Sequence, residues 1–212
     1  MKQYVLISIL AGIVILAFLS KEILSQSLTS KVEAMHESLT LEASKDYPKS
    51  IQALEQAYTS DKNDYLLTVR LGWLNYLAGN YAESKKYYEQ AFTLSNKNSI
   101  EALLGETLPL SALNDWDGVA AAYKTILRTD SMNYLANLRL GQILLNRKRY
   151  QEARTYLENA FDHYPGSYEP NLSLGWAYYY LGNKEKAKSL LTTALSLSPH
   201  DTLATSGLEL VK

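Results

Sequence analysis

Few residues in this 212-residue chain have the types and spacing that catalysis or metal binding requires. Its three histidines, His36, His163 and His200, lie far apart along the chain, and there is no cysteine. Clustered histidines and thiolates are the usual ligands of zinc and partners of nucleophiles. The sequence also contains no phosphate-binding glycine loop, zinc-binding HExxH helix or nucleophile elbow. We therefore expect a protein without enzyme activity, catalytic residues, cofactor or metal site.

Two further sequence patterns match motifs that have a chemical meaning. Arg147, Lys148 and Arg149 form a basic run, but 21 basic and 22 acidic residues give the chain a net charge of −1. That balance argues against a nucleic-acid partner, and we interpret the run as a solvated turn. Asn171 begins an Asn-Leu-Ser glycosylation sequence. Because it falls inside a predicted helix, we interpret this match as chance.

The dominant feature of the sequence is a period of 34 residues. The segment 140–165 recurs, with small and large apolar residues at matching places, at 71–96 and 174–199. Leu140 and Gly141 open the segment, and glycine beside leucine lets a second helix approach closely because glycine has no Cβ. A fixed period of this length is typical of stacked helical hairpins.

The turns between the predicted helices support the same interpretation. Gly79 and Gly182, each followed by asparagine, are predicted to close a first helix in the left-handed conformation. Pro165 and Pro199 stop second helices. These positions resemble the tetratricopeptide repeat. The resemblance implies an all-α, right-handed α-solenoid of about five helical hairpins with a C-terminal capping helix. The predicted ranges are 31–64, 65–98, 100–133, 134–167 and 168–201 for the hairpins, together 31–201, and 202–212 for the cap.

The N-terminus carries a separate hydrophobic segment. After Lys2, no charged residue occurs from Gln3 to Ser20, and a helix of that run is about 27 Å long, close to the thickness of a bilayer core. The run also fits a secretory signal peptide, and small residues at 25–27 offer a cleavage region. Both interpretations place the repeats outside the cytoplasm, either anchored to the membrane or secreted into the periplasm. The predicted ranges are 1–22 for the signal-anchor transmembrane helix or signal peptide and 23–30 for a short helical connector.

The first helices of the predicted hairpins carry few charges, whereas the second helices are highly charged, as an outer, wetted layer is. One stripe of each first helix packs within its hairpin, and a second stripe remains. By the resemblance, that second stripe lines a concave groove where a partner's peptide or helix lies, although part of it must pack against the next repeat. Its tryptophans and tyrosines suit half-buried recognition surfaces. The predicted groove comprises Leu66, Val69, Arg70, Trp73, Tyr76, Leu77, Leu104, Leu108, Leu135, Leu138, Arg139, Gln142, Leu145, Leu172, Trp176, Tyr179 and Tyr180.

Two arginines on this stripe are open to two interpretations. One branch of the family grips an acidic C-terminal tail with lysine, asparagine and arginine side chains. Here Trp73 and Trp176 stand where such a clamp needs asparagine, so we do not expect that class of adaptor. Arg70 and Arg139 either contact an anionic group of a partner or form ion pairs with neighbouring glutamates.

We therefore predict a non-enzymatic scaffold or adaptor that holds a peptide or helix of another protein in an apolar, aromatic groove. The complex is expected to be membrane-associated or extracytoplasmic. The alternative is a self-associating scaffold whose groove is filled by another copy, giving a homo-oligomer, or by its own N-terminal helix. The expected partners are another protein and, through an uncleaved N-terminal helix, the membrane.

Overall fold

The computed structural model describes residues 28–212, which contain eleven helices and no strand. The predicted segment at 1–22 and most of the connector at 23–30 lie outside the described residues. Between 28 and 212, no helix is both long and apolar enough to cross a membrane. The helices are α1 (28–43), α2 (Tyr47–Ser60), α3 (Tyr65–Leu77), α4 (Tyr81–Leu94), α5 (Ile100–Ala112), α6 (Trp116–Thr129), α7 (Tyr134–Asn146), α8 (Tyr150–His163), α9 (Tyr168–Tyr180), α10 (Lys184–Leu197) and α11 (Thr202–Leu210).

The described residues divide into two compact units, one that ends at Gly105 (unit 1) and one that spans Glu106–Lys212 (unit 2). In unit 1, α3 packs against both α2 and α4. In unit 2, α7 packs against α6 and α8, α9 packs against α8 and α10, and α11 packs against α10. The first helices α3, α7 and α9 are thus each covered by their own second helix and by the second helix of the preceding hairpin.

The turns within the hairpins share one backbone conformation. Gly79 and Gly182 both have a φ of 80°, in the left-handed region predicted for them. At the equivalent places in other hairpins, Lys45, Asn114 and Lys148 have φ values of 63°, 59° and 60°. Residues other than glycine reach this region only at an energetic cost, because Cβ approaches the following carbonyl oxygen. The basic run around Lys148 therefore lies in a turn, as predicted.

The substitution Lys148→Gly is expected to raise the free energy of unfolding by about 1 kcal/mol, because glycine removes the steric cost of the left-handed backbone. Chemical denaturation of both proteins measures the difference. The control is Gly182→Ala, where no atom lies within 4 Å of an added Cβ. Its expected loss of stability reports backbone strain alone. A Lys148→Gly protein no more stable than the original would contradict the prediction.

Glycines permit the close contact between first and second helices. A Cβ added to Gly72 would lie 3.1 Å from the ring of Tyr88, and one added to Gly105 would lie 2.1 Å from the same ring. Tyr88 is thus enclosed between glycines on two successive first helices, and this burial raises its pKa to about 12. In unit 2, a Cβ on Gly141 would lie 2.6 Å from Cγ of Leu157.

Buried serines add hydrogen bonds between the helices of a hairpin. Ser84 is fully buried, and its hydroxyl donates to the carbonyl of Gly72 at 2.7 Å. Ser50 is also fully buried and donates to the carbonyl of Ser38 at 2.8 Å. A buried hydroxyl without a partner destabilises a fold. These serines are therefore compatible with the core because each has an acceptor on the facing helix.

One turn between hairpins differs in length from the others. The turn 95–99 has five residues, whereas four residues separate α2 from α3, α6 from α7, α8 from α9 and α10 from α11. Asn96 and Lys97 take left-handed φ values of 55° and 60°. Ser99 accepts from the backbone N–H three residues later at 3.0 Å, and its hydroxyl oxygen lies 2.6 Å from that of Tyr65. The added residue is therefore accommodated within the turn.

Candidate protein-interaction surface

The predicted groove residues lie on first helices and differ in accessibility. Leu66, Leu135 and Tyr180 are exposed. The assignment of Leu138 to the groove is wrong, because its side chain is 0% exposed. Leu138 belongs to the core of unit 2, where no partner can reach it from the surface. The others are half-buried: Val69, Arg70, Trp73, Tyr76, Leu77 and Leu104 in unit 1, and Leu108, Arg139, Gln142, Leu145, Leu172, Trp176 and Tyr179 in unit 2.

In unit 1, the predicted groove residues Arg70 and Trp73 both contact Glu42 of α1. Glu42 Oε1 accepts a hydrogen bond from the indole N–H of Trp73 at 2.7 Å, and Oε2 forms an ion pair with Arg70. Burial by itself raises the pKa of Glu42, but the hydrogen bonds from Arg70 and Trp73 outweigh it, so the pKa lies below its usual value. Arg70 and Trp73 therefore join neighbouring hairpins.

Acid is expected to weaken this cluster. A carboxyl group with a lowered folded-state pKa stabilises the fold above its unfolded pKa, about 4.3, and this stabilisation is lost as the pH falls through the folded-state value. Glu42→Gln should therefore be less stable than the original near neutral pH and lose less stability between neutral pH and about pH 3. Urea midpoints at both pH values measure the effect. Glu37→Gln, at an exposed position of α1, is the control, and equal acid sensitivity of Glu42→Gln and the original would contradict the assignment.

In unit 2, a second ion pair joins α7 to α9. Arg139 Nη1 lies 2.7 Å from Glu169 Oε1 and donates to Gln142 Oε1 at 2.9 Å. The amide of Gln142 then donates to the hydroxyl of Ser173 at 3.1 Å. Both predicted groove arginines, Arg70 and Arg139, are thus paired with glutamates of a neighbouring hairpin. Of the two interpretations that the sequence left open, this arrangement is the one with ion pairs to neighbouring glutamates.

Four aromatic side chains form a cluster at the end of α9. Tyr180 stacks on Tyr150 with ring centroids 4.5 Å apart and planes 11° apart. Trp176 lies 5.8 Å from Tyr180 and 5.6 Å from Tyr179, measured between centroids. A Cβ added to Gly207 would lie 3.3 Å from Cζ2 of Trp176, so this indole packs on α11. Trp176 is therefore a packing residue between helices, and Tyr180 is the exposed edge of the cluster.

A cleft of about 360 Å³ opens between α5, α6 and α7 of unit 2. We call it the Trp116 cleft, because Trp116, the first residue of α6, is 49% exposed at its edge. The cleft brings together three predicted residues, Leu108, Arg139 and Gln142, and adds Ile143. Trp116 was not predicted as a site residue because it begins a second helix. A large aromatic residue directly after a short turn was the signal that could have identified it.

The structure also locates the glycosylation sequence and the histidines. Asn171 is buried, and its amide donates to the carbonyls of Pro165 and Ser167 at 2.7 Å each. The glycosylation sequence is therefore inaccessible. His36 and His163 are exposed. Among residues 28–212, no group of three or more histidine, cysteine, aspartate or glutamate side chains could hold a metal ion.

Comparison with known families identifies the repeats. Two tetratricopeptide repeat models match the chain, one over residues 69–98 and the other over 132–199. Both matches fall on paired helices of the structure. These two segments therefore match tetratricopeptide repeats, and the described residues 28–212 are helical hairpins throughout.

Several solved structures share the fold. MamA has a TM-score of 0.69 at 17% identity, with 79% of this chain and 91% of that chain covered. YrrB, described as a TPR protein with an unusual peptide-binding site, has a TM-score of 0.71 at 16% identity, with coverage of 89% and 97%. A tetratricopeptide repeat protein from Parabacteroides merdae has a TM-score of 0.74 at 18% identity, with coverage of 86% and 72%. At these identities the likeness shows the fold alone.

One curated protein also matches over much of the chain. The protein CTR9 homolog of Arabidopsis thaliana is 27% identical over 169 residues, which cover 70% of this chain. The match covers 15% of that protein, so the chain spans about 15% of its relative's length.

Proposed function

We propose that the chain is a non-enzymatic scaffold that binds another protein and holds a peptide or helix of it against the first helices. The observation that carries this proposal is the Trp116 cleft. There, the half-exposed indole of Trp116 lines the cleft together with Leu108 and Ile143 and with the polar side chains of Arg139 and Gln142. An accessible aromatic anchor in a small cleft with a few fixed polar groups suits an apolar side chain of a bound peptide.

The geometry around the cleft also supports binding with little rearrangement. Arg139 is already held by Glu169, and Gln142 by Ser173, so these polar groups are positioned before a ligand arrives. Fixed side chains lose less conformational entropy on binding. The likeness to YrrB, whose description names a peptide-binding site, agrees with this proposal at the level of the fold.

Trp116→Ala is expected to weaken peptide binding by about 2 kcal/mol, roughly 30-fold, because the substitution removes the exposed anchor. Peptides that bind the full chain, purified in detergent, would be selected from a displayed library. Their affinities would then be measured by calorimetry. The matched control is Leu113→Ala, which truncates another exposed apolar residue in the turn before α6. Leu113→Ala should bind the selected peptides as the original does.

Two results would count against the proposal. Selected peptides that bind Trp116→Ala and the original equally would remove the Trp116 cleft from the site. A stable oligomer of the original chain that Trp116→Ala dissociates, seen by light scattering, would assign the cleft to another copy of the chain. That outcome would favour the self-associating scaffold over the adaptor.

We also propose that the repeats lie outside the cytoplasm, either anchored to the membrane by the N-terminal segment or released after its cleavage as a signal peptide. This rests on the uncharged run from Gln3 to Ser20, which lies outside the described residues. In sealed inverted vesicles, added protease should leave the repeats intact until detergent is present. Sequencing the mature N-terminus separates an anchor from a cleaved signal. Digestion of the repeats without detergent would place them in the cytoplasm and refute the proposal.

A further inference from the structure

A second cleft, of about 620 Å³, lies between the second helices α6 and α8 of unit 2. We call it the basic cleft. Lys124 and Arg128 line it from α6, and Tyr156 and Asn159 line it from α8. Asn137, from the first helix α7, also lines it and is only 1% exposed, so it forms the floor. No residue of this set lines the Trp116 cleft.

The two cations of the basic cleft have no ion-pair partner within the described residues. Lys124 and Arg128 are four residues apart on one helix, so they are neighbours on the same face. Arg128 donates to the hydroxyl of Thr125, a neutral group, at 2.8 Å. Glu152 acts on Lys124 at longer range, but its own ion pair, at 2.6 Å, is with Arg149. The basic cleft thus presents two positive charges that no carboxylate of the described residues pairs with, so both are open to an acidic ligand.

The equivalent positions one repeat later carry the opposite charge. Glu158 and Asp162, which stand 34 residues after Lys124 and Arg128, line a cleft of about 510 Å³ that also includes Lys186 of α10. There, the hydroxyl of Tyr178 donates to Glu158, so the chain itself provides a partner for the acidic group. The positive charge of the basic cleft is therefore specific to these two positions and is not a property of the repeat architecture.

The floor of the basic cleft is fixed by hydrogen bonds. The amide nitrogen of Asn137 donates to the carbonyls of Ser131 and Asn133, at 3.0 Å each. Its side-chain oxygen accepts from the amide of Asn159 at 3.1 Å. Asn159 is thereby positioned, and its side-chain oxygen can accept a hydrogen bond from a ligand. The nearby phenol of Tyr156 can both donate and accept.

We propose that the basic cleft binds an acidic, extended segment of a partner protein. Carboxylates of the segment pair with Lys124 and Arg128, since charge-assisted hydrogen bonds are the stronger class, and its backbone pairs with Asn159 and Tyr156. Nucleic acid fits less well, because a polyphosphate backbone requires a row of cations and the whole chain has a net charge of −1. The site is separate from the Trp116 cleft and does not depend on it.

The test is fluorescence anisotropy of a labelled oligoglutamate peptide titrated with the full chain in low salt. The original protein should bind, and the double variant Lys124→Glu with Arg128→Glu should bind at least about tenfold more weakly, because charge pairs are reversed. The matched control, Lys184→Glu with Lys188→Glu, changes the net charge equally at exposed positions of α10. It should retain the original affinity.

Three outcomes would overturn the proposal. One is no binding of oligoglutamate by the original chain. Another is an equal loss in the two double variants, since total charge alone would then explain the result. The last is tighter binding of a single-stranded oligonucleotide, abolished by the Lys124 and Arg128 substitutions, which would assign the site to nucleic acid. Trp116→Ala should bind oligoglutamate normally, so failure at one cleft is distinguishable from failure at the other.

Discussion

Trp73→Ala is expected to lower the free energy of unfolding by about 3 kcal/mol, as large-to-small substitutions of packed aromatic side chains do. The indole donates to Glu42, and its ring centroid lies 5.8 Å from that of Tyr76. Its loss leaves the carboxylate of Glu42, already paired with Arg70, without one of its donors. Denaturation midpoints in guanidinium chloride measure the change.

The matched control for this experiment is Trp116→Ala. Trp116 is the same residue type but half exposed, so its loss should cost at most about 1 kcal/mol of stability. The expected pattern is therefore a large stability loss at Trp73 and a large binding loss at Trp116. The opposite pattern, a stable Trp73→Ala protein that no longer binds selected peptides, would show that Trp73 is a partner anchor.

Gly141→Leu is expected to destabilise unit 2 by about 3 kcal/mol, since overpacking a helix contact forces the backbones apart. Even a Cβ at this position would lie 2.6 Å from Cγ of Leu157 and 3.3 Å from its backbone nitrogen. The side chain could rotate away, but the backbone atom can move only if α8 moves. Thermal unfolding followed by circular dichroism measures the loss.

The same substitution at Gly166 is the control. Gly166 lies in an exposed turn, and nothing lies within 4 Å of an added Cβ. Gly166→Leu should therefore change stability by less than about 0.5 kcal/mol. Similar losses at both positions would mean that leucine acts through the unfolded chain and not through the contact between α7 and α8.

The helices were predictable because their determinants are local. Gly79 and Gly182 recur at the period of the repeat and have the left-handed backbone expected of them. Proline favours the first turn of a helix, and α2 begins at Tyr47 with Pro48 in its first turn. Such signals depend on residues within one hairpin. The helix boundaries can therefore be predicted without information on how neighbouring repeats pack.

The candidate site was less predictable because it depends on what faces each helix across a repeat boundary. Leu138 and Arg139 were both assigned to the groove, yet Leu138 is buried and Arg139 reaches Glu169. The spacing gives no distance between successive first helices, and that distance decides which residues the next repeat covers. Trp116 was not predicted as a site residue because its exposure also depends on neighbouring helices, α5 and α7, and not on α6 alone.

The five-residue turn 95–99 bears on how this chain tolerates changes of length. Asn96 and Lys97 take up the additional residue through their left-handed backbones, while Tyr88 remains enclosed between Gly72 and Gly105 on the two sides of the turn. An insertion has thus been absorbed without loss of helix contact. Exposed turns of this kind accept foreign segments more readily than helices do. For protein engineering, the tip of this turn is the place to insert an affinity tag or a fluorescent reporter.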